Sequence, residues 1–364
     1  MIILGIETSC DETAVSVVRS EKNKIEVLSN AVSSQVELHA KWGGVVPNLA
    51  AREHLKNMLP VLEEALNDAG ITKDDVDLIS VTEGPGLIPA LLVGTNFSKT
   101  LSYLWKKPLL GIHHIEGHIY ANFANNTEIE FPVLALVVSG GHTQLVLMKD
   151  HLEYEVIGQT QDDAVGEAFD KVARILDLGY PGGPIISAQA QKFKESPDSQ
   201  LSNHNSRITL PRPMLNSPDF NFSFSGLKTA VLYAVKELKE KNSKKEFENL
   251  IPEISHEFQQ ACIDVLIKKT MKAAKKHNPK TILIAGGVSA NRELKLQLKD
   301  ATEKELANTK FESPEFEYSL DNAAMIAIAG CFRWEKMNDS ERQKCEKNWK
   351  NLQASSSLKM NKIH

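Results

Sequence analysis

MIILGIETSCDETAVSVV, residues 1–18, returns as LALVVSGGHTQLVLM at residues 134–148, and this echo decides the fold. Laid together without a gap, the copies match Leu4 with Leu134, Ile6 with Leu136, Ser9 with Ser139, Thr13 with Thr143 and Val15 with Leu145. Each copy is an apolar strand, a turn of small and polar residues, and a second strand. A third strand follows in each half: Ile25 to Val32, after a polar turn at Glu21 to Lys24, and YEVIG from Tyr154. Such self-similarity is an internal duplication. The length of 364 residues also exceeds the roughly 250–300 at which one core stops growing, which calls for two domains on separate grounds.

Helical periodicity occupies 51–69 and 89–104 between the copies, alternating with strand-like Leu78 to Thr82 and Pro108 to His113. After Gln159 come a helix at 164–176, a Pro/Ser/Asn-rich stretch at 196–218, and amphipathic helices at 227–239 and 252–277. A buried strand, Thr281 to Ala285, then opens a Gly-rich turn and a helix. The last strong helix, 321–334, is apolar on nearly every face, as expected of an element packed between domains, and is expected to cross back onto the first half. These patterns predict an α/β fold of two duplicated lobes, each with a mixed sheet flanked by helices and with a nucleotide cleft between them. The expected limits are 1–111 for the first lobe, completed by a helix at 321–337, and 112–320 for the second. Beyond Met337 the composition turns to Lys, Asn, Gln and Ser, which predicts a surface helix and a mobile tail over 338–364.

The four cysteines, Cys10, Cys262, Cys331 and Cys345, form no CxxC pair, which argues against a disulfide framework and a zinc ribbon and suits a reducing, cytoplasmic setting. The N-terminus lacks the basic and long apolar regions of a signal peptide, and no apolar run approaches the roughly 20 residues of a membrane helix. A net charge of -5 is unlike a free-standing nucleic-acid binder, so an RNA substrate would need a local patch or a partner. The lysine runs at 236–245 and 268–280 read as solvated helix faces.

Three Gly/Ser turns follow buried strands: Glu7 to Thr13, Val138 to Thr143, and Ala285 to Asn291. Turns of this kind expose successive backbone N–H groups and let phosphate oxygens approach closely. In HHIEGH, His114 and His118 are four apart and share one face of a helix, a strong spacing for a metal. Glu116 follows His114 by two, so it faces elsewhere and the zinc-protease pattern fails. A third ligand is needed. Asp321, opening the final helix in SLDNAAM, is the candidate, with a plain helix N-cap as its alternative. Asp170 and the YPGGP turn at 180–184 offer a carboxylate and backbone amides to a ligand, although either also suits a structural role. Asp11 and Glu12 lie where phosphate would bind and would repel it without a cation or proton.

GIETSCDET, HAKWGGVVPNLAAREH, HHIEGH, LVVSGGHTQL, GEAFDKVAR, LGYPGGP, FSFSGLKTA, AGGVSANREL and SLDNAAM together resemble the bacterial tRNA adenosine threonylcarbamoyltransferase family, TsaD, in order from Met1 to about Trp334. The resemblance implies the actin-like ATPase (ASKHA) fold. It implies transfer of threonylcarbamoyl from threonylcarbamoyl-adenylate to the exocyclic amine of the adenosine beside the anticodon, in tRNAs reading codons that begin with A, with release of AMP. It also implies metal ligands at His114, His118 and Asp321, with iron the usual metal and zinc chemically plausible. Substrate contacts are implied at Val137, Val138, Ser139, Gly140, Gly141, Asp170, Gly183 and Asn291. Asp11 and Glu12 are the candidates for collecting the amine proton. The implied partners are a pseudo-enzyme paralogue (TsaB) and a small ATPase (TsaE), and Ser187, where archaeal relatives tend to carry an acid, points to the bacterial assembly. Two other readings share the turns: a small-molecule kinase of the same superfamily, disfavoured by the paired histidines, and a nucleotide-gated scaffold without chemistry.

Overall fold

A computed structural model describes residues 1–21, 24–124, 128–196 and 208–360. Residues within the expected turn at Glu21 to Lys24 and within the stretch 196–218 lie partly outside this set, as does the end of the tail. The chain divides into two compact units, one of Met1–Val133, Met148–Glu155 and Glu312–His364, the other of Leu134–Leu147 and Val156–Phe311.

The first unit holds a sheet of β1 (Ile2–Glu7), β2 (Glu12–Glu21), β3 (Lys24–Ser34), β4 (Leu78–Gly84) and β5 (Leu109–His113). Its order is β3-β2-β1-β4-β5. β1 pairs antiparallel with β2 and parallel with β4, so the sheet is mixed. Ile3, Leu4 and Ile6 are fully buried, which explains why β1 reads as an unbroken apolar run and not as an alternation. The second sheet, of β6 (Val133–Val138), β7 (Thr143–Met148), β8 (Tyr154–Gln159), β9 (Thr281–Ala285) and β10 (Lys310–Glu312), runs β10-β9-β6-β7-β8. Replace each strand by its counterpart and the first order returns, so the duplication seen in sequence is a duplication of topology.

The matched threonines do the same work in each copy. Thr13 Oγ1 bonds His54 Nδ1 at 2.8 Å on the helix Pro47–Asp68, and Thr143 Oγ1 accepts from Val165 N at 2.9 Å at the start of the helix Val165–Ile175. Each hydroxyl ties the turn to a long helix that comes after the third strand of its copy.

The apolar terminal helix runs Ala324–Lys336, and every residue from Ala324 to Ala329 is fully buried. It lies so close to β1 that a Cβ at Gly5 would meet the Ala323 carbonyl and Ala327 N, which is why glycine stands in the middle of a buried strand. A further helix, Gly182–Lys194, follows the YPGGP turn and has no counterpart in the sequence reading, because its Gly-Gly-Pro start resembles a loop.

Beyond Met337 the expected helix is present, but the described part of the tail is not free. A short capped helix, Asp339–Cys345, leads into a chain that packs back on the first unit. Asn348 Nδ2 donates to Leu109 O at 3.0 Å, Ser355 N donates to Glu83 O at 2.8 Å, and His113 Nε2 lies 3.0 Å from Leu358 O. Leu352 is only 5 % exposed, in the core with Trp349 beside it. Two apolar anchors spaced by three residues are too sparse for a periodicity signal, yet they suffice to dock a short segment against the edge strand β5. Among the described residues no helix is long and apolar enough to cross a membrane.

Candidate functional site

Strand β5 ends at His113 and the helix His114–Tyr120 begins at the next residue, with His113 Nδ1 accepting from Ile115 N at 3.2 Å. One helical turn separates His114 from His118, and their rings meet edge to face with centroids 4.5 Å apart. Asp321 precedes the terminal helix. It does not cap that helix: Asn322 Oδ1 accepts from Met325 N at 3.0 Å. Asp321 Oδ1 instead lies 3.1 Å from His118 Nε2 and 3.6 Å from His114 Nε2. The three donor atoms fall within 4.8 Å of one another.

His118 Nε2 approaches Asp321 without the alignment of a hydrogen bond, and both of its buried ring nitrogens lack a hydrogen-bond partner. Leaving buried polar atoms unpaired costs about 1–3 kcal/mol each. A divalent cation shared with His114 and Asp321 would take the lone pair of one of them. Two imidazoles and one carboxylate suit a first-row metal such as iron or zinc.

Glu7, fully buried at the end of β1, completes the arrangement. Its Oε2 lies 3.1 Å from His114 Nδ1 and accepts from Thr82 Oγ1 at 2.6 Å, while its Oε1 accepts from Ser9 N. Ser9 Oγ lies 3.2 Å from the same imidazole nitrogen. A carboxylate on Nδ1 fixes the proton there and turns Nε2 toward the other donors, the usual outer support of a metal-bound histidine. Burial alone would raise the Glu7 pKa, but the charge and hydrogen bond of His114 hold it below the usual range. Burial likewise disfavours charge on His114, yet Asp321 and Glu7 outweigh it and lift its pKa to about 9. The pocket therefore demands positive charge, which a proton or a metal can supply.

Asp11 and Glu12 sit in the same turn. Ser34 Oγ donates to Glu12 Oε1 at 3.1 Å, and Gln35 N donates to Asp11 O at 3.0 Å. Burial, then the charges of Asp11 and Asp321, push the Glu12 carboxyl well above the usual range. Burial and the same acids raise the Cys10 thiol, which removes it as a nucleophile. Glu116 faces away from the histidines, as its spacing predicts, and pairs through both oxygens with Arg333 at 2.5 and 2.8 Å.

The remaining candidates belong to the second unit. Val137 and Val138 are buried strand residues. Ser139 closes the following turn, its N–H donating to His142 O at 2.8 Å. A Cβ would have open space at Gly140, Gly141 and Gly183, so their backbones are approachable. Gly286, with φ +86°, packs on the Val138 carbonyl, where a Cβ would come within 2.6 Å. Asp170 Oδ1 accepts from Gly182 N at 2.7 Å and so secures the start of the helix Gly182–Lys194. Asn291 caps the helix Arg292–Glu305 by accepting from Leu294 N at 3.0 Å, while its amide donates to Ser187 Oγ at 3.0 Å and Gln259 Oε1 at 2.9 Å. Both residues thus carry structural bonds at the positions the sequence singled out.

Sequence reasoning missed Glu7 and Gln259. Glu7 left a trace: the aligned position in the second copy is Val137, so a charge stands where the duplicated strand is apolar. Gln259 lies inside a long helix and leaves none.

The profile of the TsaD family, tRNA N6-adenosine threonylcarbamoyltransferase, matches residues 26–328. A tRNA N6-adenosine threonylcarbamoyltransferase of Thermosipho africanus is 50% identical over 330 residues, covering 91% of this chain and 93% of the relative. That of Bacillus subtilis is 49% identical over 340 residues, 92% of this chain and 91% of the relative. Among solved structures, HypF of T. kodakarensis superimposes with a TM-score of 0.59 at 14% identity, over 94% of this chain and 48% of that one, a likeness of fold alone. The two mixed five-stranded sheets flanked by helices are those of the actin-like ATPase fold. By profile and by identity along nearly its whole length, this chain belongs to the TsaD family of tRNA N6-adenosine threonylcarbamoyltransferases, enzymes that modify tRNA.

Proposed function

We propose that the chain moves the threonylcarbamoyl group of threonylcarbamoyl-adenylate to N6 of the adenosine at position 37, beside the anticodon, in tRNAs reading ANN codons. The amine nitrogen bonds to the carbamoyl carbon, the bond from that carbon to the phosphate oxygen breaks, AMP leaves, and the amine gives up a proton. The observation that carries this reading is the buried convergence of His114, His118 and Asp321, braced by Glu7, in a chain of this family. These three residues would hold one divalent ion, iron by preference and zinc as the alternative. Because the acceptor amine is a poor nucleophile, such an ion would supply Lewis-acid polarisation to the carbonyl of the donor.

The chain's own residues do the rest. Glu7 orients His114. The approachable backbones at Gly140, Gly141 and Gly183 suit the anionic donor, alongside Val137, Val138, Ser139, Asp170 and Asn291. Asp11 and Glu12, side by side after β1, are the candidates to receive the amine proton, in whichever carboxyl is ionised. We assign the reaction to the cytoplasm, where tRNA is, and expect the paralogue TsaB and the ATPase TsaE as partners. The test is reconstitution with those partners, purified threonylcarbamoyl-adenylate and tRNA, following modified nucleoside and AMP together. Equal amounts of the two support the reading. AMP without modified nucleoside, or phosphorylation of a small metabolite, refutes it.

A further inference from the structure

Strand β3 ends at Ser34 and the short helix Val36–Ala40 follows, then a tight turn through Trp42, Gly43 and Gly44. The turn is firmly mounted. Trp42 N and Gly44 N both donate to His39 O, at 2.9 and 3.3 Å, and Val46 N donates to His39 Nδ1 at 3.3 Å. His39 is fully buried, and its Nε2 lies 3.1 Å from Gln35 Oε1. Gln35 Nε2 reaches His54 Nδ1 at 3.4 Å, and His54 Nε2 lies 3.1 Å from the Cys10 carbonyl. The turn carrying Asp11 and Glu12 is therefore joined by buried hydrogen bonds to the loop that displays Trp42. Yet the Trp42 side chain itself is 69% exposed. The braced loop thus holds a large aromatic ring out toward solvent.

Beside this loop is an open depression of about 330 Å³ lined by Ser34, Gln35, Glu37, Leu38, Lys41, Glu53 and Asn57. The volume suits a nucleoside-sized ligand. Its wall reaches the candidate site, since Ser34 bonds Glu12 at 3.1 Å. The lining is a mixture that a nucleotide matches and a lipid or apolar peptide does not. Lys41 offers a cation to a phosphate, and Asn57 with the two carboxylates presents acceptors to an exocyclic amine. Five helical residues, about 7.5 Å of rise, separate Gln35 from the Trp42 turn, about the reach of one neighbouring nucleotide.

We propose that this depression and Trp42 form a subsite for a second nucleotide of the acceptor tRNA's anticodon loop, the base stacking on Trp42 with its amine edge toward Asn57, Glu37 and Glu53 and its phosphate toward Lys41. The subsite rests on the acceptor being tRNA and deepens that reading. It holds the loop open so that the target adenosine is presented unstacked.

The test uses the full-length chain and an anticodon stem-loop RNA. Stacking on one aromatic side chain predicts a loss of roughly 5- to 150-fold in RNA affinity for Trp42→Ala. Trp42→Phe restores most of it, and Asn57→Ala loses part. In the reconstituted transfer reaction Trp42→Ala raises KM for tRNA and lowers kcat by a smaller factor. Metal content and melting temperature remain those of wild type, which separates the effect from misfolding. Unchanged RNA affinity and KM in Trp42→Ala overturn the subsite, as does a defect confined to assembly with a protein partner. Should wild type bind RNA through Trp42 yet transfer nothing, the subsite stands and the proposed reaction falls.

Discussion

Replacing Arg333 by methionine removes the counter-charge of the most deeply buried carboxylate near the candidate metal helix. Glu116 is fully buried and receives both Nε and an Nη of Arg333, whose own side chain is only 19% exposed. A second acid depends on the same guanidinium: burial raises the Glu83 carboxyl, Arg333 draws it back, and Glu116 pushes it up again. Breaking a buried pair by deleting one partner costs about 3–5 kcal/mol, because the other charge is left without compensation. Arg333→Met should therefore lose that much of the first unit's stability, measured as a lower urea midpoint with unchanged slope. Glu116→Gln combined with Arg333→Met should recover much of the loss, since no isolated charge remains. His114 and His118 flank Glu116 on one short helix, so the single variant should also bind metal more weakly. A loss below about 1 kcal/mol, or a double variant no better than the single, would refute the claim that this pair secures the helix.

Glu7→Gln keeps the size of the group that orients His114 but removes its charge, and should weaken metal binding roughly 10- to 100-fold in direct titration, with the fold retained. Leu352→Ala should cost about 2–5 kcal/mol and expose the tail to limited proteolysis, because its side chain is buried against the first unit's core. His151 stacks on Phe332 at 4.3 Å between ring centroids, and burial depresses its pKa to about 4 in spite of Asp150. The unfolded chain binds this proton near pH 6.5 and the folded chain refuses it, so the contribution is complete above pH 6.5 and declines as pH falls toward 4. Melting temperature followed over that range should decline less steeply in His151→Phe than in wild type.

The duplicated strands were legible because β1 and β6 are buried along nearly their whole length, so both read as apolar runs, broken only by Glu7 in the first copy. The pairing of His114 and His118 was legible because helical spacing alone places them together. Asp321 was legible only as one of two alternatives, since a carboxylate before a helix usually caps it; here Asn322 takes that role and leaves Asp321 directed at the histidines. Glu7 required the second copy as a reference. The docking of Leu352, the Gly182–Lys194 helix and the hydrogen bonds of Asn291 were not legible. They depend on residues distant in sequence, such as Leu109, Asp170 and Gln259, which no local pattern connects.

The most direct test of the central claim compares transfer of threonylcarbamoyl to tRNA by metal-stripped and reloaded protein, for wild type and His118→Ala, with the modified nucleoside quantified by mass spectrometry. The account predicts that stripped wild type is inactive, that Fe²⁺ or Zn²⁺ restores it, and that His118→Ala is not restored. Full activity in stripped protein, or in His118→Ala, would contradict it.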